Sequence, residues 1–497
     1  MNTQDSQLLI KKFFEKNKIV QYNINSFDSF VEWRMQKIID EVKEAVPAVI
    51  PPDVEEIKFE FGRVRIGQPM IAEADGVERK LLPMEARLRN LTYAAPVFLE
   101  LSLIIDGKKI EQVEVKIMDL PIMLKSKLCY LSTMTAEELI EAGEDPTDTG
   151  GYFIISGTER FLTMLEDLAP NTIFLAKETT GSATHSAKVF STDGVYRISH
   201  TLERKKDGLI CLSFANLNNI PFAVILKALG ITTDKDILEA IGFKELDEDI
   251  YLNLYDFTEI ESAKDAQEFI SKTLRLNLSR EQKLQRVNYI LDNLLLPHVG
   301  KGTKSRKLKA LYIGRMVKKI LLFKAEKLSP EDKDHYKNKR VRLSGDLLED
   351  LFRTNFKTLV SEMLYIFQRS VRRRKILPIA STVRTKLLSQ AIKSAMATGK
   401  WTGNRKGISQ RLDRENPCAT ISDLRRVSSL LSSSLESFAA RALHPTHWGR
   451  LCAIESPEGK NIGLRKHLAL LANITPELKE EEINAQINLL EKYGLKM

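Results

Sequence analysis

The sequence predicts a mixed α/β protein of several domains. Three observations carry that expectation. Apolar residues recur at helical spacing near both ends, alternating apolar runs broken by glycine turns lie between them, and 497 residues exceed one ordinary core. With 43% hydrophobic and 28% charged residues, the composition is that of a soluble globular chain and leaves no case for extended disorder.

Taken in order, Ile10, Phe13, Phe14 and Ile19 recur at helical spacing. Phe27, Phe30, Trp33, Ile38 and Val42 continue the pattern after an expected break at Asn23, Ile24 and Asn25. Pro51 and Pro52 are expected to stop it, and alternation at Ile57, Phe59 and Phe61 then marks a strand. Leu99, Leu101, Leu103 and Ile105 alternate up to Asp106 and Gly107, and Val113, Val115 and Ile117 alternate beyond, which predicts a hairpin on a positive-φ turn. A second hairpin is expected around Lys206, Asp207 and Gly208, between 195–198 and 209–212. Helices follow at 221–229, closed by Gly230, and at 234–241, between Thr233 and Gly242. Ser279 and Gln282 form a capping-box pattern ahead of a long helix that ends before Pro297. From 343 to 400 the chain reads as mostly helical, with Leu347, Leu348, Leu351, Phe352, Leu359 and Met363 on one stripe. Residues 401–417 are rich in loop formers, and 479–497 reads as an amphipathic surface helix.

Charge narrows the partner. The window from Arg369 to Arg426 holds fifteen Lys or Arg against Asp413, Glu415 and Asp423, a net +12 in a chain of net +9. A second run, Lys301 to Lys327, has ten Lys or Arg against Glu326. Two basic runs in an otherwise balanced chain point to a polyanion, nucleic acid above all. The N-terminus lacks a secretory apolar core, no apolar run approaches a membrane span, and four scattered cysteines show no zinc or disulfide spacing. A cytoplasmic protein with reduced thiols is expected.

Self-sufficient active sites find little support. The turn Gly300-Lys301-Gly302-Thr303 lacks the spacing of a phosphate loop. His444 and His447 have no third metal ligand, and Pro445 disfavours a helix between them. Glu455 and Glu458 come with no sign of a cleft for paired-carboxylate chemistry, and no cluster of three aspartates exists to hold magnesium.

The segment 441–466, RALHPTHWGRLCAIESPEGKNIGLRK, resembles a signature of the second-largest subunit of multisubunit, DNA-templated RNA polymerases. The segment 397–430, ATGKWTGNRKGISQRLDRENPCATISDLRRVSSL, resembles the adjoining fork region of that family. Upstream, Asp332 to Leu348 resembles the family's Asp-x-Asp-His…Lys-Arg…Gly-x-Leu-Leu block. Gly150 to Arg160 resembles another, with Ser156 where the family usually has asparagine. Ile24 to Phe30 and Arg87 to Pro96 look like its archaeal and eukaryotic branch.

The resemblance implies a protrusion built from 1–165 and 333–375, a lobe at 166–332, a fork at 376–470, and the start of an external region or tail at 471–497. It implies that Gln410, Asp413, Arg425, Arg426 and Ser428 face the RNA–DNA hybrid or its substrate end, and that Arg450, Glu455, Glu458 and Asn461 stand at the active-centre wall. For the acids, bracing of loops is an equally good expectation. Arg372, Arg373, Arg374, Lys400, Arg405 and Lys406 are candidate phosphate contacts. The chemistry implied is nucleotidyl transfer with two magnesium ions, held by the largest subunit and not by this chain, so the isolated chain is expected to be inactive. Implied partners are a B-prime chain carrying the other half of the subunit, the largest subunits, the remaining subunits, DNA template, RNA–DNA hybrid and nucleoside triphosphates. Second-largest subunits are usually much longer, so the chain is expected to be the N-terminal half of a split archaeal subunit, called B double-prime. A shortened piece of an unsplit subunit and a stand-alone nucleic-acid-binding regulator remain the alternatives.

Overall fold

The alternation at Ile57, Phe59 and Phe61 becomes the strand Ile57–Ile66, whose buried face pairs in register with the strand Ala94–Ile105. In the computed structural model, which describes residues 3–16, 18–51, 54–73, 76–178, 181–195, 197–242, 248–274, 279–373, 378–434, 437–475 and 478–494, these strands belong to an antiparallel sheet. Its order is Glu44–Ala45, Ile57–Ile66, Ala94–Ile105, Lys108–Pro121. Asp106 and Gly107 make the hairpin turn with φ of 47° and 76°, as expected.

One helix fills the hollow of that sheet. Ser344–Arg372 buries Leu347, Leu348, Leu351, Phe352, Leu359 and Met363, the stripe read from the sequence. Its rings meet the sheet edge-on, Phe367 against Phe59 at 5.0 Å between centroids and Phe356 against Phe61 at 5.7 Å. The helix Thr385–Thr398 covers Lys108–Pro121, where Ser389 Oγ accepts from the Asp119 N–H at 2.9 Å. These elements share one apolar core within a unit formed by Met1–Glu166 and Val341–Met497.

The expected helix break at Asn23, Ile24 and Asn25 is not there. All three lie inside the helix Gln21–Ser29. Asn23 is polar because of a distant partner, since its Oδ1 accepts from Ser344 N at 3.1 Å and from Ser344 Oγ at 2.6 Å. The helical stretch also ends before Pro51, at Val42, where Lys43 turns to φ 47°.

The stretch Asp167–Arg340 forms a second unit with its own core. Five strands run as an antiparallel meander in chain order, from Ile173–Lys177 to Leu217–Pro221, with the expected hairpin between Arg197–Lys205 and Ile210–Phe214. Helices follow, among them Asp234–Ile241, where Thr233 Oγ1 caps the first turn and Gly242 closes the last at φ 62°. The capping box of Ser279 and Gln282 opens Arg280–Tyr289 as read from the sequence. Residues 333–340 group with this unit and not with Val341–Met497. Asn338 Nδ2 donates to Asp332 O at 2.6 Å, and its own carbonyl takes the Ala169 N–H at 2.8 Å. No helix among the described residues is long and apolar enough to cross a membrane.

Candidate nucleic-acid interface

Short strands tie the glycine- and proline-rich segment from 401 onward to residues far earlier in the chain. Ser409–Arg411 pairs antiparallel with Thr158–Leu162, so Gln410 stands opposite Phe161. Arg426–Ser429 runs parallel to Met164–Leu168 and antiparallel to Arg465–His467, with Arg426 opposite His467. Between these strands Asn416 Oδ1 caps the helix Pro417–Leu424. Lys466 and Glu166, both buried, form an ion pair at 3.1 Å that pins Arg465–His467 to the strand at Met164–Leu168.

Arg414 clamps the loop between the strands. Its Nε donates to Glu159 Oε2 at 2.6 Å and its Nη2 to Asp148 Oδ2 at 2.9 Å. The guanidinium lies 4.8 Å from the Tyr152 ring centre. Arg87 completes the network, reaching Glu159 at 2.7 Å and Glu144 at 2.6 Å. Burial pushes the Glu159 carboxyl up, but hydrogen bonds and charge from Arg414 and Arg87 outweigh it and hold Glu159 below the usual glutamate value. The loop and these groups line a cleft of about 1040 Å³.

The expected site residues divide by what they touch. Gln410 Oε1 accepts from Arg426 Nη1 at 3.1 Å, and Arg426 also pairs with Asp423. Asp413 braces its loop, as its Oδ1 takes the Glu415 N–H at 2.9 Å and its carbonyl takes Thr420 Oγ1 at 2.7 Å. Ser428 Oγ is buried and makes no hydrogen bond among the described residues.

Arg425 points into the protein. It is 4% exposed, and its guanidinium reaches the carbonyls of Ile19 at 2.8 Å, Leu468 at 3.4 Å, and Ala469. These bonds hold distant chain segments together.

At the wall segment, Glu455 Oε1 accepts from Ser422 Oγ at 2.6 Å, and its carbonyl takes His467 Nδ1–H at 3.1 Å. These bonds join the wall to the fork strands. Arg450 and Glu458 are exposed, and Arg450 Nη1 donates to the Thr446 carbonyl at 3.1 Å. Asn461 is half-exposed and ends the short turn Gly459–Asn461. Arg441, which the sequence reading passed over, organises this loop by donating to the carbonyls of Lys460 at 2.8 Å and Ile462 at 2.9 Å. Gly463 sits against it at φ 70°, where a Cβ would stand 2.2 Å from the Arg441 carbonyl oxygen. His444 and His447 shape a turn: His444 Nδ1 lies 2.7 Å from Thr446 Oγ1, and its carbonyl takes the His447 N–H at 2.9 Å. No group of three His, Cys, Asp or Glu among the described residues is arranged to hold a metal ion.

Of the candidate phosphate contacts, Arg372, Arg373, Lys400 and Lys406 are exposed, and Arg374 lies outside the described residues. Arg405 is half-buried, and burial together with the charge of Arg342 lowers its affinity for its proton. The second basic run differs from its expected use. Lys301 pairs with Asp193, Arg306 with Asp292, Lys319 with Glu331 and Lys324 with Asp249. Lys318 donates to the Gly242 carbonyl and Lys309 to those of Leu291 and Asp292, with burial bringing Lys309 down to about 8. Most of that run therefore holds its own unit together, and Lys301, Lys304, Lys307, Arg315 and Lys327 are its exposed members.

Residues 18–393 match the family model described as RNA polymerase beta subunit, and residues 410–474 match RNA polymerase Rpb2, domain 3. The chain belongs to the RNA polymerase beta subunit family, that of the second-largest subunit. It is 42% identical over 496 residues to DNA-directed RNA polymerase subunit Rpo2N of Methanocaldococcus jannaschii, covering 98% of each chain. Against subunit Rpo2N of Methanococcus vannielii the identity is 41% over 501 residues, covering 99% of each. Subunit Rpo2 of Saccharolobus solfataricus is 42% identical over 475 residues, which are 95% of this chain but 42% of that protein. The chain thus spans about two fifths of the length of the Saccharolobus relative.

Proposed function

We propose that this chain works as the N-terminal, B double-prime half of the second-largest subunit in a cytoplasmic, archaeal DNA-directed RNA polymerase, where it lines the path of the RNA–DNA hybrid. Supporting it is the join between fork and wall, in which the Arg426–Ser429 strand lies opposite Arg465–His467, and Glu455 ties both to Ser422. That join would set Arg426, the exposed Arg450 and Glu458 and the half-exposed Asn461 along one continuous surface. Arginine offers paired donors to phosphate. Gln410, Asp413 and Glu455 act as braces of that surface.

Under this reading the unit of Asp167–Arg340 corresponds to the lobe, and the other unit to protrusion and fork together. Arg372, Arg373, Lys400 and Lys406 track the nucleic-acid backbone without reading sequence, as a general transcribing enzyme requires. The two magnesium ions of nucleotidyl transfer belong to the largest subunit. The residues described here do not form a set that fits them. This chain binds and orients template, hybrid and incoming nucleotide, with a B-prime chain and the other subunits completing the enzyme.

The test is Arg426→Ala and Arg450→Ala, each in polymerase reconstituted from all subunits. Slower elongation or a less stable elongation complex with near-normal assembly is expected, by roughly tenfold for loss of ~1.4 kcal/mol of contact. Normal elongation by both variants would overturn the assignment. A stand-alone regulator would instead leave cells without other polymerase subunits at fixed ratio when the chain is captured.

A further inference from the structure

Asp423 is a buried acid beside a cation that the proposed function needs. It lies in the last turn of Pro417–Leu424 and is 6% exposed. Its two carboxylate oxygens serve different partners. Oδ2 accepts from the Asp413 N–H at 3.1 Å, and Oδ1 pairs with the Arg426 guanidinium. On its other side Arg426 donates to Gln410 Oε1 at 3.1 Å and stands 5.9 Å from the Phe161 ring centre. The Arg426 side chain still keeps 20% of its surface in contact with solvent.

We propose that Asp423 masks Arg426, competing with the nucleic-acid backbone for the same guanidinium. The inference rests on the reading that Arg426 faces the hybrid. A guanidinium carries five donors, so the internal pair leaves donors free for an external phosphate. The internal anion also offsets much of its charge at short range, which weakens any external grip. Every step along the template requires phosphate contacts to break and reform. An arginine that trades between a fixed internal anion and a moving external one can release at each step, while an unmasked arginine holds on. Asp423 is thus a positioning residue that sets how tightly the fork holds nucleic acid.

The experiment uses the complete polymerase bound to a preformed RNA–DNA hybrid scaffold, with affinity measured across a salt series. Asp423→Asn removes the charge but keeps an oxygen for the Asp413 N–H. It should steepen the slope of log affinity against log salt by up to ~0.5, the part of one ~0.9 phosphate neutralisation that the internal anion withholds, and slow both dissociation and elongation. Arg426→Ala should flatten the slope by the remaining ~0.4, and the double variant should follow Arg426→Ala. Asp423→Ser, also uncharged, must reproduce the steepening. If Arg426→Ala flattens the slope but both Asp423 variants match wild type or merely weaken binding, masking is wrong and the hybrid-facing reading stands. If Arg426→Ala leaves the slope unchanged, that reading itself fails.

Discussion

Arg425 and Arg426 are neighbours of one residue type, and nothing in the sequence separates them. The fold sends one inward to three backbone carbonyls and leaves the other at a partly open edge. Carbonyl partners distant in sequence leave no trace in composition, so only tertiary structure tells a brace from a contact. Asn23 misled for the same reason, as its partner is Ser344. Ser156 shows the reverse case, where a departure from the family pattern has a visible physical meaning. It sits at φ 49° in the turn between Phe153–Ile155 and Thr158–Leu162, ahead of Gly157 at φ 76°. Asparagine tolerates the left-handed region better than serine does, and Asn-Gly favours this hairpin turn. Ser156→Asn should therefore stabilise the chain by ~0.5 kcal/mol, read as a higher urea midpoint with an unchanged slope.

At the scale of elements, the periodic parts were legible. The stripe of Ser344–Arg372, the Asp106-Gly107 hairpin and the caps at Thr233 and Ser279 follow from local rules that need no partner. The fork was legible as a motif but not as a structure, because its strands are three or four residues long and pair with segments more than two hundred residues away. Its clamp, Arg414 on Glu159 and Asp148, has a pH signature. The folded Glu159 holds its proton less tightly than the unfolded chain does, so its contribution is complete above the ordinary glutamate value of about 4.3 and is lost as pH falls through the lower folded value. Urea midpoints should thus decline on acidification below about pH 5. Glu159→Gln should blunt that decline and cost ~1–3 kcal/mol at neutral pH, since Arg87 and Arg414 lose a shared partner. An unchanged acid profile in the variant would show that other carboxylates carry the effect.

At the scale of the molecule, charge runs were the least faithful guide. The run from Lys301 to Lys327 looked like a polyanion surface, yet most of its cations answer acids and carbonyls within Asp167–Arg340. Basic residues counted along a chain do not reveal which of them are already neutralised in space. The same unit has an apolar core of its own, built from one continuous stretch. A fragment of residues 167–340 should therefore fold alone and unfold in a single cooperative urea transition with dispersed amide NMR signals. A fragment without a cooperative transition would show that its core depends on the rest of the chain.

The helix Ser344–Arg372 has a consequence for how the protein is made. It supplies much of the core against which Ile57–Ile66 and Ala94–Ile105 pack, yet it leaves the ribosome long after those strands. The early strands must wait, their apolar faces uncovered, while the whole of Asp167–Arg340 is translated and closes on itself. During that interval the nascent chain exposes long β-edges, and chaperone demand in the cell should peak there and fall once residue 372 has emerged.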